Sequence, residues 1–276
     1  MKTRRGRIMP GFGLSMGVTL SYLTLIVLIP IAALLWKAGD AGWPALWEGI
    51  SSPRAVGTYR LTIGTALAAT AFNAVGGFLL AWVLARYQFP GRRLLDAVVD
   101  LPFALPTAVA GIALSAIFAP TGWAGALLEP AGLKVAYAPA GIAVAMAFTS
   151  IPFVIRSLQP VLEDLESEVE EAAFTLGASG AAVFARVVFP AVLPAFLSGC
   201  ALAFSRALGE YGAIIFIAGN IPGETEVTTL LTYIRLEEFD YPGAAGLAVA
   251  MLAMSFVTLF VVNALQLWRL RREGRR

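Results

Sequence analysis

The sequence predicts an all-α integral membrane protein with six transmembrane helices and both termini in the cytoplasm. Three observations carry this. Of 276 residues, 58% are hydrophobic and only 14% are charged, whereas about a quarter of a soluble domain is charged. Six charge-poor runs approach the ~20 apolar residues that a helix needs to cross a bilayer. The basic residues fall mostly on one side of the topology those runs imply.

The first run, 8–36, contains no charge. It predicts a cytoplasmic tail at 1–13 and a first transmembrane helix at 14–36. Its apolar core is too long for a signal peptide, and no small-x-small cleavage site precedes Trp36, so the helix is read as retained. The second run is 61–85 and the third 101–119, before a Gly/Pro-rich loop at 120–130. The fourth is 135–155. The fifth, 191–217, is interrupted by Arg206 and Glu210. The sixth is 241–268, followed by a basic tail at 269–276. Lipid offers the backbone no hydrogen-bond partners, so each span is expected to be helical.

Lys and Arg set orientation. One side holds Lys2, Arg4, Arg5, Arg7, Arg86, Arg92, Arg93, Arg156, Arg186, Arg269, Arg271, Arg272, Arg275 and Arg276. The other holds Lys37, Arg54, Arg60, Lys134 and Arg235. The first set is expected to be cytoplasmic, and with it the loop 156–190. That loop carries Glu163, Asp164, Glu166, Glu168, Glu170 and Glu171. Residues 163–177 suit a short helix with acids near its start, where the helix dipole favours them. Gly177 and Gly180 permit a turn. Composition alone reads the loop as solvated charge.

Several chemistries are excluded. There is no histidine and a single cysteine, Cys200, so no internal disulfide and no cysteine metal cluster can form. The lysines at 2, 37 and 134 never follow glycine, so the chain lacks the Gly-Lys-Ser/Thr of a phosphate-binding loop. No nucleophile, base and orienting group converge in the pattern.

Spacing within the acidic loop changes its reading. Glu171, Ala172 and Ala173 are followed by three residues and Gly177, then nine residues, Val187, Phe189 and Pro190. This resembles the EAA signature of ABC importer permeases, with Val187 and Phe189 in place of the usual Ile and Leu. LLDAVVDLPFALPTAVAGIAL (94–114), GIAVAMAFTSIPFVIRSLQPVLEDLE (141–166) and RALGEYGAIIFIAGNIPGETEVTTL (206–230) resemble the T-type permease subunit of bacterial sulfate/thiosulfate importers. The resemblance spans nearly the whole chain and implies a type I ABC importer permease fold at 58–268, in the inner membrane. It also implies a second, W-type permease, a cytoplasmic ATPase dimer using ATP and Mg, and a periplasmic sulfate/thiosulfate-binding protein. No cofactor would be bound by this chain, and hydrolysis would occur in the ATPase. Glu171, Ala172, Ala173, Gly177 and Pro190 would form the contact coupling ATP to the pore. Molybdate and tungstate permeases share the loop and the RALGE stretch, and are the close alternative. A proton-coupled anion transporter using Glu210 is the more distant one.

Arg206 and Glu210 are the other candidates. A charge at a helix centre costs ~2.5–3.5 kcal/mol, so such residues face a bundle interior or cavity. Spaced four apart, they are expected to share a helix face. They form either a mutually neutralising structural or gating pair, the favoured reading, or a cation near an anion path with Glu210 holding its rotamer. Gly209 and Gly212 would let the chain bend or pack closely there. Pro102, Pro106 and Pro152 are expected to kink the third and fourth spans. Asp100 and Asn73 are expected to hydrogen-bond between helices.

Overall fold

The computed structural model describes residues 12–40 and 42–273. The basic N-terminal residues through Arg7, and the C-terminal basic side chains from Arg269 on, lie outside the described residues. Among the described residues, five helices are long and apolar enough to cross a membrane. They are α1 (Phe12–Asp40), α2 (Pro53–Arg86), α3 (Pro139–Glu163), α4 (Gly180–Leu208) and α5 (Tyr241–Glu273).

The core is the trio α2, α3 and α4, and small residues make it. Thr58, Thr62, Ala66, Ala69, Asn73, Gly77, Ala81 and Leu84 recur every three or four positions along α2, and all are buried. Such a stripe lets helix backbones approach closely in a membrane, where van der Waals contact drives association. A Cβ at Gly77 would come within 3.0 Å of Val154, and one at Gly199 within 3.0 Å of Val154 and Ser157. Asn73 sits at the centre of this packing. Its amide nitrogen donates to the Ala147 carbonyl and to Ser150 Oγ, each at 2.9 Å, as expected of an inter-helix tie.

The third expected span is broken. After a short amphipathic helix, Arg92–Val99, the chain forms one turn at Leu101–Ala104 and resumes as Thr107–Phe118. Leu105 is extended (φ −84°, ψ 134°) because Pro106 disfavours the helical conformation in the residue before it. The twelve residues of Thr107–Phe118 reach only about 18 Å, short of the ~30 Å hydrocarbon thickness.

The fifth expected span also differs. It begins eleven residues earlier, at Gly180, and stops at Leu208 instead of 217. A π turn, Phe184–Val188, precedes Pro190. Proline has no N–H and collides with the carbonyl four residues back; widening the helix just ahead of Pro190 removes the conflict without breaking the rod. The same arrangement recurs in α1, where the π turn Thr24–Leu28 precedes Pro30. Past Leu208 the chain turns, forms Ile214–Ile217, loops at Gly219–Gly223 and returns as the helix Thr228–Glu237.

Candidate functional site

The loop after α3 folds as a helix–turn–helix. Ser167–Thr175 is helical, with Glu168 and Glu170 in its first turn. Its end closes as a Schellman motif. The Ala178 amide donates to the Ala173 carbonyl at 3.1 Å, and the Gly177 amide to Phe174 at 2.9 Å, the two bonds that define this cap. Gly177 has φ +84°, the left-handed conformation glycine adopts without steric cost. Ala173 and Ala178 both pack on the lower core cluster around Leu158, Leu162 and Val188. Ser179 then caps the next helix, its Oγ accepting from the Ala182 amide. Thus Ala173 and Gly177 hold the turn's shape and seat it on the bundle. Glu171 and Ala172 are exposed, and Pro190 sits above the π turn.

Glu170 ties this segment to the bundle, while Glu163, at the end of α3, ties α3 to the Arg92–Val99 helix. Glu170 pairs with Arg86 at 2.6 Å, and Arg86 also lies over the Trp82 ring. Glu163 pairs with Arg92 at 3.3 Å and accepts from Gln159. The face turned outward carries Val169, Phe174 and Leu176, the last 88% exposed.

Arg156, near the loop end of α3, binds both Asp100 oxygens (2.8 and 2.7 Å), Asp96 (2.6 Å) and Gln159 (2.6 Å). It anchors the Arg92–Val99 helix, and Asp100 therefore does make the inter-helix bond expected of it. Orientation counting used Arg156 only as a positive charge. The Asp96/Asp100 pair, four residues apart and so on one helix face, was the available signal for its partner.

Arg206 and Glu210 meet, but not on one helix. Arg206 occupies the last turn of α4, where a cation favours the dipole, and Glu210 lies past the end at Gly209. Their side chains are 2.8 Å apart, and that of Glu210 is 1% exposed. Glu210 Oε1 also accepts from the Ala213 amide at 3.0 Å, and Thr229 donates to its carbonyl. Glu210 therefore braces the turn leading to Ile214–Ile217. The turn presses on the third span, because a Cβ at Gly212 would collide with Thr107 Oγ1.

The pair lies at mid-depth. Val183, Val188 and Val192 cluster with Leu158 and Leu162, while Ala207 and Leu208 cluster with Ala145 and Met146, so α3 and α4 are antiparallel. Arg206 is seven residues beyond Gly199, about 10 Å along the axis, which brings it level with the middle of α3. Helix α4 thus ends inside the bundle and leaves a half-exposed guanidinium beside a buried carboxylate.

A second buried acid went unnoticed in the sequence. Glu226, its side chain fully buried, accepts two bonds from Arg54 at 2.9 and 2.6 Å. Beside it Thr228 bonds Thr58 and Thr62 of α2. These contacts clamp the returning segment onto α2 at the end opposite the acidic loop. Arg54 in the first turn of a helix, where the dipole disfavours a cation, was the sequence signal that it had an acidic partner.

Residues 73–273 match the family described as "Binding-protein-dependent transport system inner membrane component". The chain belongs to this family. As an inner membrane component it is a multi-pass permease, and its apolar faces meet lipid. The chain is 52% identical over 270 residues to the "Sulfate transport system permease protein CysT" of Escherichia coli (strain K12), covering 98% of this chain and 96% of that one. It is 48% identical to the protein of the same name from Synechocystis sp., covering 91% and 88%. Among solved structures, a bacterial ABC transporter involved in import of the acidic polysaccharide alginate matches with TM-score 0.75 at 14% identity, covering 93% of this chain and 95% of that one. An inward-facing methionine ABC transporter matches with TM-score 0.59 at 15% identity, covering 78% and 97%. The permease fold is therefore that of a type I ABC importer.

Proposed function

We propose that this permease carries sulfate or thiosulfate inward across the bacterial inner membrane, driven by ATP that a separate ATPase dimer hydrolyses. Its identity to the sulfate permease proteins over nearly its full length is the observation that carries the substrate. A periplasmic sulfate/thiosulfate-binding protein delivers the anion, and a second permease, of the W type, completes the pore. Both termini and the loop 156–190 lie in the cytoplasm.

The ATPase docks on the Ser167–Gly177 segment. Val169, Phe174 and Leu176 offer apolar contact area there, and Glu171 adds exposed charge. The Gly177 cap and the Arg86–Glu170 pair make the segment a stiff lever on α3 and α4. ATP binding closes the ATPases, shifts this lever and tilts the two helices, opening the pore outward; hydrolysis resets it. Arg206, at mid-depth, gives the path a cation that attracts a dianion. Glu210 fixes the guanidinium and lowers its net field, so that the anion is attracted without being trapped.

The test is uptake of labelled sulfate into proteoliposomes holding both permeases and the ATPase, with binding protein outside. ATP-dependent accumulation that persists after the proton gradient is collapsed supports the reading. Accumulation that needs the gradient and not the ATPase overturns it.

A further inference from the structure

Tyr137 has φ +59°, in the left-handed region that a bulky residue rarely enters. Two contacts hold it there. Its amide donates to the Ile217 carbonyl at 2.7 Å, and it packs so closely on Gly219 that a Cβ on the glycine would lie 3.2 Å from the Tyr137 Cβ. Residues kept in costly conformations by their surroundings cluster at functional sites. Here the conformation places one hydroxyl. Tyr137 Oη lies 3.4 Å from Ser115 Oγ of the Thr107–Phe118 helix. That exceeds the usual span of about 2.5–3.0 Å for an O–H···O bond, so the two hydroxyls are only weakly committed to each other.

The pair opens onto a cavity of about 290 Å³, whose other walls are Ile112, Ala116, Ala119 and Phe216. Among the described residues, no charged side chain lines it. It is an apolar cup with two hydroxyls on its wall. The cup is joined to the Arg206–Glu210 pair. Phe216 belongs to the short helix Ile214–Ile217, which follows the Ala213 amide held by Glu210. Ile112 adjoins Gly111, where a Cβ would collide with Ala213. Ile217 then fixes Tyr137. The hydroxyls lie outward of the ion pair, at the end of α3 remote from the acidic loop. Helix α3 begins at Pro139, six residues before Ala145, which clusters with Ala207; six residues are about 9 Å along the axis.

A tyrosine of the interfacial aromatic belt needs neither a left-handed backbone nor a partner hydroxyl. A cation would need carboxylates, and the cup has none. An anion matches the donors, because hydrogen bonds to a charged acceptor are roughly twice as strong as neutral ones. We propose that Ser115 and Tyr137 form an outer oxyanion-binding pair. The incoming tetrahedral anion accepts a hydrogen bond from each hydroxyl, replacing their long mutual bond, before it passes inward to Arg206. The assignment rests on the anion import proposed above and gives that path a second station. Neutral donors suit the outer position, since a conducting path must bind its ion firmly enough to admit it and weakly enough to let it leave.

The assembled importer in nanodiscs, held outward with ATP and vanadate, provides the test. In a Cys200→Ala background, Ala116→Cys puts a thiol on the cup wall and keeps both hydroxyls. Its modification by an anionic and by a cationic methanethiosulfonate is followed by mass spectrometry, with each rate referred to that of free cysteine. The anionic reagent should be favoured several-fold, and sulfate should slow it relative to chloride at equal ionic strength. Adding Ser115→Ala and Tyr137→Phe should abolish that protection. No modification, a cationic preference, no protection by sulfate, or protection that survives loss of both hydroxyls overturns the proposal. Tyr137→Phe alone keeps the ring and its backbone contacts. It should lower sulfate uptake into proteoliposomes about tenfold at saturating binding protein, with an unchanged melting temperature; normal uptake also overturns the proposal. If the unsubstituted importer moves no sulfate while sulfate still protects position 116, the import reading fails and the site stands. Uptake without protection fails the site alone.

Discussion

Gly177 allows backbone conformation to be separated from side-chain fit. Its φ is +84°, and a Cβ built on it meets nothing within 4 Å. Substitution therefore creates no collision, and its whole cost is conformational. For an L-residue the left-handed region costs roughly 1–2 kcal/mol, more for a β-branched side chain, whereas Asn tolerates it. If the ATPase binds only the capped turn, affinity falls by the fraction of permease that holds that conformation. A cost of ~1–2 kcal/mol then corresponds to roughly a 5–30-fold loss. We expect ATPase affinity for permease in nanodiscs to fall in the order Gly, Asn, Ala, Val at this position, with Gly177→Asn within a few-fold of the native chain. ATP-driven sulfate uptake should follow the same order. The reasoning is refuted if Gly177→Val binds and transports normally, or if Gly177→Asn is as damaging as Gly177→Val, since the second outcome would mean that the added atoms matter and the dihedral does not.

Other expectations follow from the same geometry. Arg54→Ala strands the buried Glu226 carboxylate and should cost about 3 kcal/mol, the low end because Arg54 is 37% exposed. A thermal melt should show the loss, and adding Glu226→Gln should restore part of it. Glu210→Gln keeps an acceptor for the Ala213 amide but takes the counter-charge from Arg206, so it should lower the melting temperature less than Glu210→Leu, which loses both the ion pair and the cap and gives up a further ~1–3 kcal/mol. Arg206→Gln should slow sulfate uptake while ATPase binding stays normal, and an unchanged rate would remove Arg206 from the anion path. Pro190→Ala restores an N–H that the Arg186 carbonyl can accept, so the π turn should tighten to α. That rotates the segment before it by about 100°, and uptake per ATP hydrolysed should drop even where the ATPase still binds.

Local signals carried much of this protein. The membrane class and most spans followed from charge-free runs, because hydrocarbon penalises each charge separately and the penalty is written residue by residue. The turn in the loop after α3 was equally legible. A Schellman cap is a local motif, so glycine at the right spacing after an acidic helix start announces its own geometry. Asn73 and Asp100 were recognisable as inter-helix groups, since a polar side chain in an apolar run must find a partner somewhere.

Partner identity was not legible. That Arg156 takes Asp96 and Asp100, that Arg54 takes Glu226 across 172 positions, and that Arg86 takes Glu170 depend on which helices lie side by side. Hydropathy also placed the end of the fifth span nine residues too late. Residues 209–217 are as apolar as a span, but the helix ends at Leu208, where Gly209 follows, Glu210 accepts from the Ala213 amide and Gly212 packs against Thr107. The third span, expected to be kinked by Pro102 and Pro106, is instead broken outright at Leu105 and Pro106. Sequence alone determined which segments are apolar enough to enter the membrane and the local cap that shapes the 167–177 hairpin. The tertiary structure decided where those segments stop and which charges meet, because a helix end inside a bundle is fixed by distant neighbours and not by its own composition.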